Sequence, residues 1–323
     1  MRKRKDFSVG MLLPFLFLLM LLTGCGGKSG EEYSETQFLL DTVCTVRAGG
    51  GGAENAVRSA FARIREISQA VDCYSQESVV SAFNRAVAGE TVELDVHTAA
   101  VLEGALAVSR ASGGAFDVTV APVQKLWPFQ GQPDAEPPAE AAVVEKLSLV
   151  GYENLVFDAE RGTLTKLRDG VEIDLGGAAK GYAADQAVQV LREAGVSYAL
   201  LDLGGNVAVF GENPKRKDGS WQVGIQKPFA SAGEYSRVLS VKSGAVVTSG
   251  TYQRGFDYRG RRFHHILNPD TGFPADTGLF GVTVTADSAL LADCLSTGCL
   301  VLGEEKGRRL AEQFGAEIYF EKE

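Results

Sequence analysis

Apolar positions along the chain change period several times, and each change predicts an element. Residues 54–71 place Val57, Phe61, Ile64, Ile67 and Val71 on one face at helical spacing. A second helix is predicted over 98–111, ending before Gly113-Gly114, and a short one over 139–148. Between them, Gln130 to Pro138 (Gln-Gly-Gln-Pro-Asp-Ala-Glu-Pro-Pro) reads as a loop. Phe38 to Arg47 reads as a strand, and short strands are expected at 154–158, 163–167 and 171–174. A helix of about five turns follows from Ala178 to Ala194, with Gly195 as its stop. Beyond it, strands are expected at 198–202, 206–211, 220–226, 236–241, 244–249, 263–267 and 279–286. Helices at 287–302 and 304–314 and a strand at 316–321 close the chain. Hairpins outnumber strand–helix–strand units, so the fold class is α+β, with mainly antiparallel sheets packed with helices.

The N-terminus follows a different logic. Arg2, Lys3, Arg4 and Lys5 precede an apolar run from Val9 to Leu22, which stops at Leu22-Thr23-Gly24-Cys25. A basic stub, an apolar stretch too short to span comfortably and a small-residue cleavage site make a secretory signal. The ending resembles a bacterial lipobox, which implies cleavage before Cys25 and lipidation of its sulfur. The expected organisation is a signal peptide at 1–24, a flexible tether at 25–36 and one catalytic domain at 37–323, held to the extracytoplasmic face of a cell membrane.

Composition narrows the function classes. The 323 residues are 45% hydrophobic and 23% charged, which excludes a disordered or collagenous chain. The net charge is −9; without the first 24 residues, 28 basic side chains face 40 acidic ones, a balance of −12. So acidic a body argues against nucleic acid as a partner. Cys44, Cys73, Cys294 and Cys299 form no CxxC or zinc spacing and read as small core residues.

Three constellations carry candidate chemistry. Asp174-Leu175-Gly176-Gly177-Ala178-Ala179-Lys180-Gly181 joins a strand to a helix, and Leu203-Gly204-Gly205-Asn206 joins two strands. Neither is a dinucleotide or P-loop fingerprint. Even so, a glycine turn at a helix N-terminus offers free N–H groups to a phosphate, with Lys180 about one turn further on; on spacing alone, a plain tight turn with a solvated lysine is the slightly better explanation. Asp293 stands inside an apolar helix with Thr297 four residues on, on the same face. That pair suits either a hard cation such as Mg²⁺ with substrate phosphates, or an Asp accepting the Thr hydroxyl. Of three histidines, His97 begins a helix and reads as a capping or surface residue. His264 and His265, adjacent on a strand, point to opposite faces. One of them is a candidate general base at the strand end, or a hydrogen-bonded structural residue.

The order of these blocks is more specific than any one of them. Tyr74…Ser78…Asn84, Gly114-Ala115-Phe116-Asp117-Val118-Thr119, the 174–182 segment, Leu203-Gly204-Gly205-Asn206, His265-Ile266-Leu267-Asn268-Pro269-Asp270-Thr271-Gly272 and Ala292-Asp293-Cys294-Leu295-Ser296-Thr297 together resemble the ApbE family of FAD:protein FMN transferases. The resemblance runs from about residue 37 to the C-terminus and implies an ApbE-like (T-fold-like) architecture. It implies Mg²⁺-dependent transfer of FMN from FAD, the substrate, to a Thr or Ser hydroxyl of exported or membrane redox proteins, with release of AMP. It further implies Asp293, Thr297 and the Gly177 carbonyl as Mg²⁺ ligands. Leu40, Tyr74, Ala115, Phe116, Asp117, Asp174, Lys180 and Leu267 are implied as FAD contacts, with Tyr74 and Phe116 able to stack on rings, and His265 as base. The chain departs from the family at Leu40-Asp41-Thr42, where Met-Gly-Thr is frequent, and at Asn268, where many members carry Asp. Two other readings share the site: an FAD pyrophosphatase giving FMN and AMP, and a flavin-binding lipoprotein without chemistry.

Overall fold

The computed structural model of the chain describes residues 31–129, 135–231 and 233–322. The expected signal peptide, Cys25 and the first part of the tether lie outside these residues, as does most of the 130–138 loop.

Antiparallel strands build the frame: β1 (Glu32–Leu39), β2 (Thr42–Gly49), β3 (Thr91–Glu93), β4 (Leu155–Asp158), β5 (Thr163–Lys166), β6 (Tyr198–Leu203), β7 (Asn206–Phe210), β8 (Trp221–Gln226), β9 (Tyr235–Val241), β10 (Gly244–Gly250), β11 (Gly255–Tyr258), β12 (Arg261–His264), β13 (Leu279–Ala286) and β14 (Glu317–Lys322). Helices α1 (Ala53–Val71), α2 (Val79–Arg85), α3 (Val96–Ser112), α4 (Ala121–Gln124), α5 (Glu140–Leu147), α6 (Gly176–Glu193) and α7 (Ala289–Gln313) pack on and around it. The main sheet has seven strands in the order β1-β2-β6-β7-β10-β13-β14.

Alternation decides which face of that sheet is covered. Val46, Leu201, Val247, Val282 and Val284 point one way and meet α1, α3, α6 and α7 in the large core. Val207 and Val246 point the other way and meet Val223, Ile225 and Leu239 of the β8–β9 hairpin. A smaller aromatic core holds Trp127, Phe256 and Phe263 beside Leu267.

Several expectations are corrected by pairing partners that a linear pattern does not reveal. The expected strand over Phe38 to Arg47 is two strands, turning at Leu40 and Asp41, both with positive φ (52° and 56°). Residues 32–36, expected as tether, pair with Thr45 to Gly49, so the ordered body starts before residue 37. Residues 171–174 form no strand, because their backbone bonds go to the Asn84 side chain and the Val118 carbonyl. Strands β1, β3 and β11 and helices α2 and α4 have no counterpart among the expected elements. The last two predicted helices are continuous in α7 except for a kink at Gly303 (φ 77°, ψ 175°). Among the described residues no helix is long and apolar enough to cross a membrane.

Candidate functional site

The loop before α6 is shaped by side chains from elsewhere. Asn84 of α2 imitates a strand partner: its Nδ2 donates to the Ile173 carbonyl at 2.9 Å, and its Oδ1 accepts the Ile173 N–H at 2.8 Å. Lys166, fully buried, donates to the Asn84 and Val171 carbonyls and lies over the Phe83 ring. Burial of that ammonium lowers its pKa. The next residue, Asp174, is thereby fixed. Its Oδ1 accepts the Gly176 N–H at 2.7 Å and its Oδ2 receives Gln124 Nε2 at 3.2 Å. Helix α6 begins at Gly176, two residues earlier than expected, which puts Gly177 and Lys180 in its opening turns.

Helices α6 and α7 touch through glycine. A Cβ on Gly181 would lie 2.2 Å from the Ala289 carbonyl oxygen, so only a residue without a side chain permits this approach. One turn along α6, Asp185 caps α7: its carboxylate accepts the Ser288 hydroxyl at 2.8 Å and the Ala289 and Leu290 N–H groups at 2.7 and 3.0 Å. Ser288 in turn accepts the Leu291 N–H, as an N-cap does.

One turn into α7, Asp293 is 3% exposed. Its Oδ2 accepts the Gly181 N–H at 2.9 Å, the donor that helix geometry aims at the Gly177 carbonyl. Lys180 Nζ stands 3.9 Å from the same oxygen. Burial raises the carboxyl's pKa, while Lys180, Asn206 and the Gly181 N–H oppose the rise. Asn206 lies against this carboxylate, yet its Nδ2 finds no hydrogen-bond partner of ordinary geometry. Thr297 Oγ1 is 3.0 Å from Ser249 Oγ on β10, so the alternative in which the threonine hydroxyl bonds Asp293 is not what forms. Phe116 wedges the two elements together. Added Cβ atoms at Gly177 and Gly298 would each meet it at 3.1 Å.

The second wall comes from the β1–β2 tip and the segment after β12. The Leu40-Asp41 turn has both central residues left-handed, the hairpin geometry that glycine or asparagine usually supplies. Arg254 Nη2 donates to the Asp41 carbonyl at 3.3 Å. The Arg254 carbonyl accepts both the His265 backbone N–H and His265 Nδ1, each at 3.2 Å. A carbonyl only accepts, so Nδ1 carries the proton and Nε2 holds the lone pair. Burial, then the charges of Arg254 and Lys180, push the His265 pKa down to about 4, so the ring is neutral at pH 7. His264 is buried and donates Nε2–H to the Ala275 carbonyl at 2.9 Å.

The remaining expected contacts divide. Tyr74, 62% exposed in the loop after α1, stands near Cys73 and the carboxylates of Asp174, Asp41 and Asp72, and the partial burial of its ring and then these neighbours raise its pKa. Ala115 is half-buried at the edge of the large core. Phe116 is 5% exposed, with its ring packed close to Gly177. Asp117 accepts from Thr119 N and Thr119 Oγ1 at Oδ1 and from Tyr152 N at Oδ2, so its carboxylate is committed largely to holding the turn that follows it. Leu267 belongs to the small aromatic core. His97 is neither cap nor surface residue: Asp95 caps α3, and the His97 ring is buried between Tyr182 and Glu66. Asn84, Lys166, Asp185, Ser249 and Arg254 were not singled out for these roles. Asn84 stands in the Tyr74…Ser78…Asn84 block and Asp185 lies four residues after Gly181 on the same helix face; the other three carry no signal in the linear pattern.

Among the described residues, no group of three or more His, Cys, Asp or Glu side chains forms a metal cluster. One buried carboxylate with a hydroxyl and a carbonyl nearby instead suits a hard cation that completes its shell with ligand phosphates. On the far side of the sheet, under β8–β9, an open cavity of about 370 Å³ is lined by Asp202, Gln222, Thr248 and Tyr252, among others. The predicted site residues gather elsewhere.

The ApbE family profile matches residues 40–320. An FAD:protein FMN transferase of Treponema pallidum is 33% identical over 316 residues, covering 92% of this chain and 87% of its own. One of Haemophilus influenzae is 32% identical over 263 residues, covering 79% and 75%. Among solved structures, the ApbE protein of Thermotoga maritima superposes with a TM-score of 0.81 at 32% identity, covering 90% of this chain and 94% of that one. Flavin transferase ApbE from Vibrio cholerae superposes with a TM-score of 0.76 at 27% identity, covering 90% and 93%.

Proposed function

The chain belongs to the ApbE family, and on that premise we propose that it is an FAD:protein FMN transferase whose reacting centre is the α6–α7 junction. The observation that carries the assignment to this place is Asp293: a carboxylate 3% exposed, set against the Gly181 N–H and Lys180 at the start of a glycine-led helix.

In the proposed reaction, a Thr or Ser hydroxyl of an acceptor protein forms a bond to the FMN-side phosphorus of FAD, the pyrophosphate bridge breaks, and AMP leaves with the bridging oxygen. His265 Nε2 takes the proton of the attacking hydroxyl, a role that fits a ring whose Nδ1–H is fixed on the Arg254 carbonyl. Lys180 and the N-terminal N–H groups of α6 offset the diphosphate charge in an otherwise acidic protein. The Gly177 carbonyl, the Asp293 carboxylate and the Thr297 hydroxyl are the donors for Mg²⁺. When bound, the ion supplies charge neutralisation at the phosphate oxygens during phosphoryl transfer. Tyr74, Leu40, Asp174, Leu267 and the backbone of Ala115, Phe116 and Asp117 are the proposed FAD contacts.

The protein is further proposed to be lipidated at Cys25 and to modify exported or membrane redox proteins. Incubating the chain with FAD, Mg²⁺ and a flavin-acceptor domain tests the activity. Covalently yellow acceptor with one AMP released per flavin is the expected outcome. Free FMN and AMP without labelled acceptor identify a hydrolase, and bound FAD with no AMP identifies a binding protein.

A further inference from the structure

Three hydroxyl groups behind Asp293 form a chain in which each proton has one possible destination. Ser296, fully buried, lies 3.0 Å from the Asp293 carbonyl, which only accepts, so Ser296 donates there. Ser249 Oγ is 2.7 Å from Ser296 Oγ; with the Ser296 proton already used, Ser249 is the donor of that bond. Ser249 Oγ is also 3.0 Å from Thr297 Oγ1, and with its own proton spent it can only accept, so Thr297 donates. No other assignment makes all three bonds, and burial makes an unmade one costly.

We propose that Ser249 and Ser296 are positioning residues that fix the Thr297 proton inside the protein, so that Thr297 Oγ1 faces the α6–α7 junction with lone pairs alone, ready to ligate a cation. The proposal rests on the reading of Asp293 and Thr297 as metal ligands. It assigns work to β10: the strand that exposes Thr248 on one face turns Ser249 inward to α7. Without this chain the threonine hydroxyl proton is free to rotate about the C–O bond, and some of its orientations point it at the metal. Removing Ser296 does more. The Ser249 proton is then left with Thr297 as its only partner, the bond between them reverses, and the Thr297 proton swings into the site.

The test is Mn²⁺ titration of the full chain without FAD, read by electron paramagnetic resonance of the free ion, with the melting temperature of the metal-free protein as a fold check. Wild type is expected to bind, Asp293→Asn to lose binding and Thr297→Ser to keep it. Ser249→Ala and Ser296→Ala are each expected to bind about 10- to 100-fold more weakly. Wild type that binds no Mn²⁺, or Asp293→Asn that binds it equally, overturns the metal reading itself. Wild-type binding with both serine variants unchanged overturns the hydroxyl chain and leaves the metal reading standing. Weakening by Ser249→Ala alone also overturns it, because a local contact would then explain Ser249 without Ser296.

Discussion

A carboxylate enclosed by an apolar helix has to be compensated, and at Asp293 the compensation comes from the Gly181 N–H, the Lys180 ammonium at 3.9 Å and the Asn206 amide. Asp293→Ala removes the only carboxylate of the proposed metal site, an interaction worth several kcal/mol in the transition state. Transfer is therefore expected to fall by about 100-fold or more, measured as AMP release with excess Mg²⁺. His265 makes a separate prediction. Its pKa is held down to about 4 in the folded chain, below the 6.5 of a free imidazole, so its neutral form persists into mild acid. Transfer rate should stay level as pH falls from 7 through 6 and decline only toward 4, and His265→Ala should slow transfer while FAD binding largely remains. The same shift sets a stability trend. The unfolded ring takes up a proton below pH 6.5 while the folded one does not, so this contribution to stability is complete above 6.5 and is lost as pH falls toward 4.

At the scale of elements, the junction of α6 with α7 is held by two residues of opposite kind. Gly181 lets the backbones touch, and Asp185 satisfies the N–H groups that the α7 terminus leaves open. Gly181→Ala forces a Cβ onto the Ala289 carbonyl and is expected to cost about 1–3 kcal/mol in denaturant unfolding, with loss of transfer because Asp293 moves with α7. Asp185→Ala strips a buried cap and is expected to cost about 2 kcal/mol or more by the same measurement. The pair separates geometry from stability: activity should fall further for Gly181→Ala than its destabilisation accounts for.

For the whole molecule, the seven-stranded sheet joins several parts of the site, since β1–β2 brings Leu40 and Asp41, β10 brings Ser249, and α6 and α7 on one face bring Gly177, Lys180, Asp293 and Thr297, while the segment after β12 adds His265. The chain's ordered start matters to that frame. A form beginning at Glu31 keeps the whole β1–β2 ladder, whereas one beginning at Gln37 removes the β1 partners of Thr45 to Gly49 and leaves them paired with β6 alone. Several ladder hydrogen bonds lost at about 1 kcal/mol each should lower its melting midpoint by on the order of 10 °C.

The helical stripe of α1, the glycine turn into α6 and the carboxylate–hydroxyl spacing of α7 were legible in the linear order, because periodicity and capping are local properties of the chain. The α+β class followed from the same signals, and the family followed from the order of the motifs. Partners far apart in sequence were not legible. No spacing rule links Asn84 to Ile173, Asp185 to Ala289 or Ser249 to Thr297, 89, 104 and 48 residues away. Nor did the chain's pattern reveal that Phe116 packs close to Gly177, or that His97 lies buried beside Tyr182. The sequence determined which segments could become helix, strand and turn, since those choices depend on neighbours a few residues away. Tertiary structure alone decided which carboxylates are free and which are spent on backbone, because hydrogen-bond partners are allotted only when distant segments meet.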